Sequence, residues 1–229
     1  MTAHREALGS PPDSPRVVLQ LLLAADLLCI SLYVWSHLSS SWLAHLHLGD
    51  DIGWSQFLLH LKQLWLILLL VAAWRARHSG VVLAWLAVAM FFAIDDALQL
   101  HEGVGHAMAR TGSSVPVVGM LGNHAFEVVW LAAWAVALGV PIVLTHRRAG
   151  PDSRAFSRRM AMLFGLLALA GVLVDAVHVL VEDIRLVNGL FVIMEEGGEQ
   201  VAMSLLVAMV FAAVLHAGSL NARRGAHAG

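Results

Sequence analysis

The sequence predicts an all-α membrane protein with six transmembrane helices. Of its 229 residues, 59% are hydrophobic and 13% are charged, and the mean hydropathy is +0.75. A soluble domain carries about 25% charged residues, so this composition excludes an ordinary soluble domain. Six apolar runs of about twenty residues or more supply the helices, because a rise of about 1.5 Å per residue then covers a hydrocarbon core of about 30 Å.

The six apolar segments are expected to form one domain, residues 1–229. The first is longer than the apolar core of a signal peptide and no small-residue cleavage pattern follows it, so we expect a retained helix. Residues 1–15 and 219–229 are predicted to be disordered tails, and Gly103–Val117 an external loop. The predicted limits of the segments are Val17–His37, Trp54–Trp74, Val81–His101, Val118–Leu144, Met160–Val181 and Leu190–Leu215.

Basic residues predict the orientation of the bundle. Only three of the fourteen Lys and Arg residues, Lys62, Arg110 and Arg185, fall toward one side. The positive-inside rule then places both termini in the cytoplasm, in a multi-pass protein of the bacterial cell (inner) membrane. The eleven residues on the cytoplasmic side are Arg5, Arg16, Arg75, Arg77, Arg147, Arg148, Arg154, Arg158, Arg159, Arg223 and Arg224.

Acidic residues are concentrated in the last four apolar segments. An ionised carboxylate in hydrocarbon is costly, and such residues usually mark ion pathways, proton relays or metal sites. Few basic residues are placed to neutralise them, so protons or bound metal ions must balance the charge. Ten of the sixteen acids lie inside these segments or at their outer ends: Asp95, Asp96, Glu102, Glu127, Asp175, Glu182, Asp183, Glu195, Glu196 and Glu199.

On ideal helices these residues form one polar stripe per segment, and all four stripes fall in the outer half of the membrane. A polar stripe in lipid is expected to turn toward the inside of the bundle. The stripes are Asp95, Gln99, Glu102 and His106 on the third segment; His124 and Glu127 on the fourth; Asp175, His178, Glu182 and Arg185 on the fifth; and Glu195, Glu196 and Glu199 on the sixth.

Five acidic or polar residues have a simpler structural interpretation. Asp96, Asp183 and Glu195 lie near helix ends or off the stripes, where solvated interface roles are equally open. His101 points about 120° away from the Asp95 stripe on an ideal helix, which favours packing or an interfacial position. Asp26, near the middle of the first segment, is expected to hydrogen-bond a neighbouring helix.

The two hairpins made by segments three and four and by segments five and six repeat one scheme. Both hairpins have the same membrane orientation, which indicates a degenerate duplication about an axis along the membrane normal. We therefore expect segments three to six to form a pseudo-two-fold four-helix core. The repeated spacings are Asp95-x6-Glu102 with Asp175-x6-Glu182, and His124-x-x-Glu127 with Glu196-x-x-Glu199.

Carboxylates and imidazoles that converge from four helices resemble the sites of ferritin-like di-iron and di-manganese bundles, although this chain has no Glu-x-x-His. The resemblance implies two divalent metal ions, and the mixture of oxygen and imidazole ligands suits iron, manganese or zinc. The implied ligands are Asp95, Glu102, His124, Glu127, Asp175, His178, Glu182, Glu196 and Glu199, with Gln99, His106, Arg185 and Glu195 as supports.

Two strings are similar to segments of uncharacterised bacterial multi-pass membrane proteins. They are FFAIDDALQLHE, which contains a DDxxxxHE pattern, and MEEGGEQ, which contains an EExxE pattern. This resemblance covers the third and sixth segments and implies no particular activity. The histidine boxes of membrane desaturases and the His-x-x-x-His pair of alkaline ceramidases are absent from the sequence.

Three function classes remain. The first is a metal-dependent oxidoreductase or hydrolase that acts on a lipid-like or small apolar substrate within the membrane lipid, with no nucleic acid as partner. A proton- or metal-ion transporter is the second, although the inner halves of the helices offer only Asp26 as a polar station. The third is a structural metal-binding protein, which would need about four ligands where about nine are present. The ligand excess favours the enzyme; its catalytic residues and oligomeric state stay open.

Overall fold

The computed structural model describes residues 13–39, 53–112, 124–174 and 185–228, and every regular element in these ranges is helical. The α-helices are α1 (Ser14–Ser39), α2 (Trp54–Arg77), α3 (Gly80–Ala97), α4 (Leu100–Gly112), α5 (His124–Arg148), α6 (Pro151–Ala168), α7 (Arg185–Val192) and α8 (Gly198–Ala228). Two π-helical segments join them, the first at Leu169–Val174 after α6 and the second at Ile193–Gly197 between α7 and α8.

Among the described residues, six helical stretches are long and apolar enough to cross a membrane, which confirms the predicted number. The fifth starts nine residues earlier than predicted because Pro151 occupies the first turn of α6, where its missing N–H costs nothing. Large apolar side chains such as Leu21 and Val136 are 66% and 69% exposed, as expected for surfaces that face lipid. The stretches are Ser14–Ser36, Trp54–Arg77, Gly80–Ala97, Phe126–Arg148, Pro151–Val172 and Val187–Ser219.

The third predicted segment is broken near its C-terminal end. Gln99 adopts a left-handed backbone conformation with φ 48°, and the N–H of Leu98 bonds to the carbonyl of Ile94 at 3.0 Å. A left-handed residue ends an α-helix, so α3 stops at Ala97 and α4 starts in a new direction. The prediction of one continuous stripe on this segment was therefore wrong. The predicted loop was also wrong in its described part, since Gly103–Gly112 is helical.

The apolar core is built by α2, α3, α6 and α8, with α1 packed against α8. Helix α5 lies at the edge against α3 and α4, and of its described side chains only Glu127 is buried. The predicted core of segments three to six thus differs in one member, because α2 takes the place of α5. An apolar helix face can meet lipid as readily as protein, so hydropathy alone does not select the core helices.

The two π-helical segments pack against each other across the bundle. A Cβ atom on Gly171 would lie 1.9 Å from the Glu199 carboxylate, and one on Gly198 would lie 2.9 Å from the Ala170 Cβ. Gly198 therefore allows a close approach to Ala170 that a side chain would block, and Gly171 leaves room for the Glu199 carboxylate. Such π-turns are frequent at functional sites, and this pair lies beside the acids of the sixth segment.

The chain ends are helical where the structure describes them. Helix α8 continues to Ala228, across most of 219–229, for which the sequence predicts a disordered tail. Helix α1 begins at Ser14, and residues 1–12 lie outside the described residues.

Candidate active site

Asp95, near the end of α3, is buried and lies at the centre of the candidate site. The Nδ1 atom of His101 lies 2.9 Å from one carboxylate oxygen, and the indole N–H of Trp130 donates to the other oxygen at 3.0 Å. The break at Gln99 turns α4 so that His101 faces Asp95. The packing or interfacial role predicted for His101 was therefore wrong, because that prediction assumed an uninterrupted helix.

The contact with Asp95 determines how the imidazole can act. An ionised carboxylate only accepts hydrogen bonds, so a neutral His101 paired with it would donate from Nδ1 and keep Nε2 as an acceptor. Nε2 lies 3.9 Å from the Glu102 carboxylate. The hydrogen bond to Asp95 raises the pKa of His101, partial burial opposes it, and the charges of Asp95, Glu102 and Glu127 raise the pKa further. Such an imidazole is suited to general-base chemistry near neutral pH.

Asp96 faces α2 and is held there by three side chains. The amide groups of Gln56 and Gln63 donate to its two oxygens at 3.2 and 2.7 Å, and the His60 ring lies 4.0 Å away. Gln56 and His60 are four residues apart, and His60 and Gln63 are three apart, so all three lie on one face of α2. Asp96 thus takes part in a specific contact between α2 and α3, and the purely solvated role that the sequence left open is excluded.

A second polar network lies deeper in the bundle, among α1, α2 and α8. Lys62 donates to Asp26, to the side chain of Gln200 at 2.6 Å and to its backbone carbonyl at 3.2 Å. Ser204 donates to the other oxygen of Asp26 at 2.6 Å, and Gln200 donates to the carbonyl of Ser55 at 2.7 Å. The predicted hydrogen bond of Asp26 to a neighbouring helix is confirmed. Lys62, which the positive-inside count assigns to the non-cytoplasmic side, has a fully buried side chain.

A small cavity of about 90 Å³ lies between the Asp95 and Asp96 contacts. Its polar wall consists of Gln63, Asp95, Asp96, His101 and Glu199, and apolar residues of α2, α3, α5, α6, α8 and the first π-helical segment line the rest. A water needs about 10–15 Å³ of such space and two to four polar partners, so this cavity can hold a few water molecules. His101 and Glu199, which come from distant parts of the chain, therefore face the same water-sized space.

A larger apolar groove of about 550 Å³ adjoins this cavity, between α3, α5 and α6. This volume is within the range of about 300–1,000 Å³ that is usual for ligand pockets. The glycines Gly139 and Gly165 widen it, because a Cβ atom at either position would meet no neighbour within 4 Å. The cavity and the groove share Phe92, Leu131, Ala168 and Val172 as walls.

Aromatic rings connect the groove to the carboxylate. Phe91 and Trp134 line the groove and stack on each other with ring centroids 4.5 Å apart. Trp134 meets the edge of Trp130 at 5.8 Å, and Trp130 donates to Asp95. A molecule in the groove would therefore contact the same aromatic cluster that orients the buried acid.

Comparison with models of known protein families assigns the chain to a family. A family model described as "Domain of unknown function (DUF8692)" matches residues 16–214. The chain belongs to the DUF8692 family. Comparisons with curated proteins and with solved structures found no match. Membership of DUF8692 carries no activity, so the function must be argued from the site.

Part of the predicted metal site lies outside the described residues of this DUF8692 chain. The undescribed residues are Asp175, His178 and Glu182, and the side chains of His124 and Arg185 are also undescribed. Within the described ranges, no group of three or more His, Cys, Asp or Glu residues could hold a metal ion. The two-metal site therefore stays a prediction.

The other predicted ligands are distributed around the Asp95–His101 pair. Asp95 and Glu199 line the cavity, and Glu102 lies beside His101. Glu127 is buried on α5 and acts on His101 electrostatically, whereas Glu196 lies in the second π-helical segment.

The predicted supports have varied positions. Gln99 forms the helix break, and the backbone carbonyl of His106 accepts a hydrogen bond from Arg110 on exposed α4. Glu195 lies within the second π-helical segment.

Sequence reasoning missed two residues of the site, His101 and Trp130. His101 stands inside the DDxxxxHE string, six residues after Asp95, and was discounted only because of its angle on an ideal helix. Trp130 follows Glu127 by three residues, so both lie on one face of α5. The spacing thus placed an indole N–H on the same face as a predicted site residue. This could have indicated that Trp130 donates a hydrogen bond to a buried carboxylate.

Proposed function

We propose that this DUF8692 protein is an integral membrane hydrolase that acts on a lipid-like substrate. The observation that carries the proposal is the shared wall between a water-sized polar cavity and a ligand-sized apolar groove. A substrate chain would occupy the groove, and its polar group would reach the cavity that contains Asp95 and His101. The arginine distribution predicts that this site lies in the outer half of the membrane.

The geometry supports water activation by His101. Its Nε2 atom would accept a proton from a cavity water, and the resulting hydroxide would attack the acyl or phosphoryl centre of the substrate. Asp95 would stabilise the imidazolium, and Trp130 keeps the carboxylate oriented. The proton then passes from His101 to the leaving group, so the pair returns to its starting state.

Divalent metal ions remain part of the proposal as cofactors. Five carboxylates surround the His101 ring or the cavity, whereas Lys62 is engaged with Asp26 in the deeper network. A cation near these acids would balance their charge and would polarise a substrate oxygen. The five are Asp95, Asp96, Glu102, Glu127 and Glu199.

The packing below the cavity supports an enzyme more than an ion pathway. Beyond the Lys62–Asp26 network, the core toward the arginine-rich end is built mainly by Leu66, Leu70, Met160, Leu206 and Val210, all at most 1% exposed. A conduction path normally requires polar stations along its length. Proteoliposome flux of protons or metal ions that Glu127→Ala abolishes would favour a transporter instead.

Turnover of membrane lipid by purified protein tests the proposal. The protein would be incubated with vesicles of a bacterial lipid extract, and the products identified by mass spectrometry. We expect Asp95→Asn and His101→Gln to lower product formation by roughly 10²–10⁴-fold, the usual contribution of a general base. His146→Gln, at the opposite end of α5, is the matched control and should retain activity. Absence of lipid turnover by the folded wild type, or full activity of His101→Gln, would contradict the proposal.

A further inference from the structure

A second large cavity lies at the opposite, arginine-rich end of the bundle. It measures about 640 Å³ and is enclosed by the end of α2, the first turns of α6 and the later part of α8. We propose that this cavity binds the head group of an anionic phospholipid. Arg77 and Arg159 would bind the phosphate, and Asp152 would accept a hydrogen bond from a head-group hydroxyl. This inference is independent of the proposed hydrolase activity.

Arg77 is held in the wall of the cavity by the neighbouring helix. One terminal nitrogen of its guanidinium donates to the carbonyl of Ala213 on α8 at 3.1 Å, and the side chain is partly buried. A guanidinium has five N–H groups, so one anchoring bond leaves several donors for a ligand. Its planar arrangement of donors matches two phosphate oxygens at once. The bond to Ala213 therefore pre-orients a phosphate-binding group.

Arg159 and Asp152 supply complementary charges on α6. They are seven residues apart, so both lie on one face of the helix and both line the cavity. In the part of the chain that the structure describes, neither side chain forms a hydrogen bond or an ion pair. Two arginines and one carboxylate fit a ligand that carries a phosphate and a hydrogen-bond donor, as phosphatidylglycerol does.

The position of the cavity indicates a lipid instead of a soluble phosphate. The second membrane stretch ends at Arg77 and the fifth begins at Pro151, so the cavity lies at head-group depth. Its remaining wall is largely apolar, with Phe156, Met209 and Ala212 among its residues. Basic pockets between transmembrane helices on the cytoplasmic side are typical sites for anionic head groups. The positive-inside rule predicts that this end is cytoplasmic.

Lipid-dependent stabilisation tests this site. The unfolding midpoint of the detergent-purified full chain would be measured against increasing dioleoylphosphatidylglycerol or dioleoylphosphatidylcholine. We expect saturable stabilisation by the first lipid only. Arg77→Gln with Arg159→Gln should weaken its apparent affinity by roughly tenfold or more, since each arginine near a membrane surface contributes on the order of 1 kcal/mol. Arg159→Gln alone, which breaks no contact among the described residues, should weaken it several-fold.

Arg75→Gln with Arg158→Gln is the matched control. It removes the same charge from the same two helices, at exposed positions that do not line the cavity. Equal stabilisation by both lipids, or equal loss in the control, would overturn the proposal. Inorganic phosphate or glycerol 1-phosphate that stabilises the protein at the same concentration would identify a soluble anion as the ligand and would also overturn it. If the double variant does not fold, the lipid affinity of the single variant Arg159→Gln tests the proposal.

Discussion

Lys62 and Asp26 form a charged pair in the interior of the bundle, each at most 1% exposed. The pair is supported by Gln200 and Ser204, so every charged atom has a hydrogen-bond partner. We expect Lys62→Met to destabilise the protein by about 3–5 kcal/mol, because it leaves the Asp26 carboxylate buried without a counter-charge. The measurement is the unfolding midpoint in detergent.

The double variant Lys62→Met with Asp26→Asn is the control for this prediction. It removes both charges, and the amide oxygen that replaces the carboxylate would still accept the hydrogen bond from Ser204. The double variant should therefore recover much of the lost stability. A single variant as stable as the wild type, or a double variant that is worse than the single one, would show that the pair is not a coupled unit.

His101 gives the protein a pH-dependent contact. Its hydrogen bond to Asp95 raises its pKa above the ordinary value of about 6.5. A raised pKa in the folded state means that the protonated pair stabilises the fold below about pH 6.5, and this contribution is lost as pH rises through the raised pKa. The unfolding midpoint of the wild type should fall across that interval relative to His101→Gln. Parallel pH profiles of the two proteins would refute this.

The elements next to the site depart from regular α-helix, and no simple sequence pattern predicts these departures. The break between α3 and α4 has neither Gly nor Pro, since Leu98 and Gln99 occupy it. The first π-helical segment lies within an apolar run and the second within the acidic MEEGGEQ string, and neither composition predicts a π-turn. Hydropathy therefore predicted where the long apolar helices run, but an ideal period of 3.6 residues misplaced His101 beyond the break.

The close packing of the two π-helical segments gives a prediction at the level of elements. Gly198→Ala should press its methyl group against the Ala170 Cβ, 2.9 Å away, and destabilise the protein by about 1–3 kcal/mol, the usual cost of an extra methyl group in a tight contact. Combined with Ala170→Gly, the same substitution should cost clearly less, because the clash is removed. Strictly additive unfolding midpoints for the two substitutions would rule out this contact.

At the scale of the whole molecule, the sequence predicted the class of protein better than its internal arrangement. Composition and length are sufficient for six apolar helices, since both measure compatibility with lipid. The place of α2 in the core rests on residues such as Leu66 and Leu70 and on Lys62, whose partners on α1 and α8 are distant in sequence. The peripheral position of α5 likewise depends on packing between helices, which hydropathy does not encode.

The predicted metal ions require a measurement on the intact chain. We expect purified protein to retain about one or two iron, manganese or zinc ions, as the excess of carboxylates predicts. Glu127→Ala should lower this content because it removes a buried acid next to His101. Elemental analysis gives the number of ions per chain. Less than about one tightly held ion, with no change in Glu127→Ala, would contradict the metal prediction.

The central claim is that the groove and the cavity form one site for a lipid-like substrate. Lipid turnover by Gly165→Leu, compared with Gly218→Leu, tests it most directly. Both glycines have open space around them, but only Gly165 lines the groove. We predict that Gly165→Leu lowers turnover by roughly tenfold or more, as expected when a side chain fills a substrate pocket, while Gly218→Leu retains it. Equal turnover by the two variants would contradict the account.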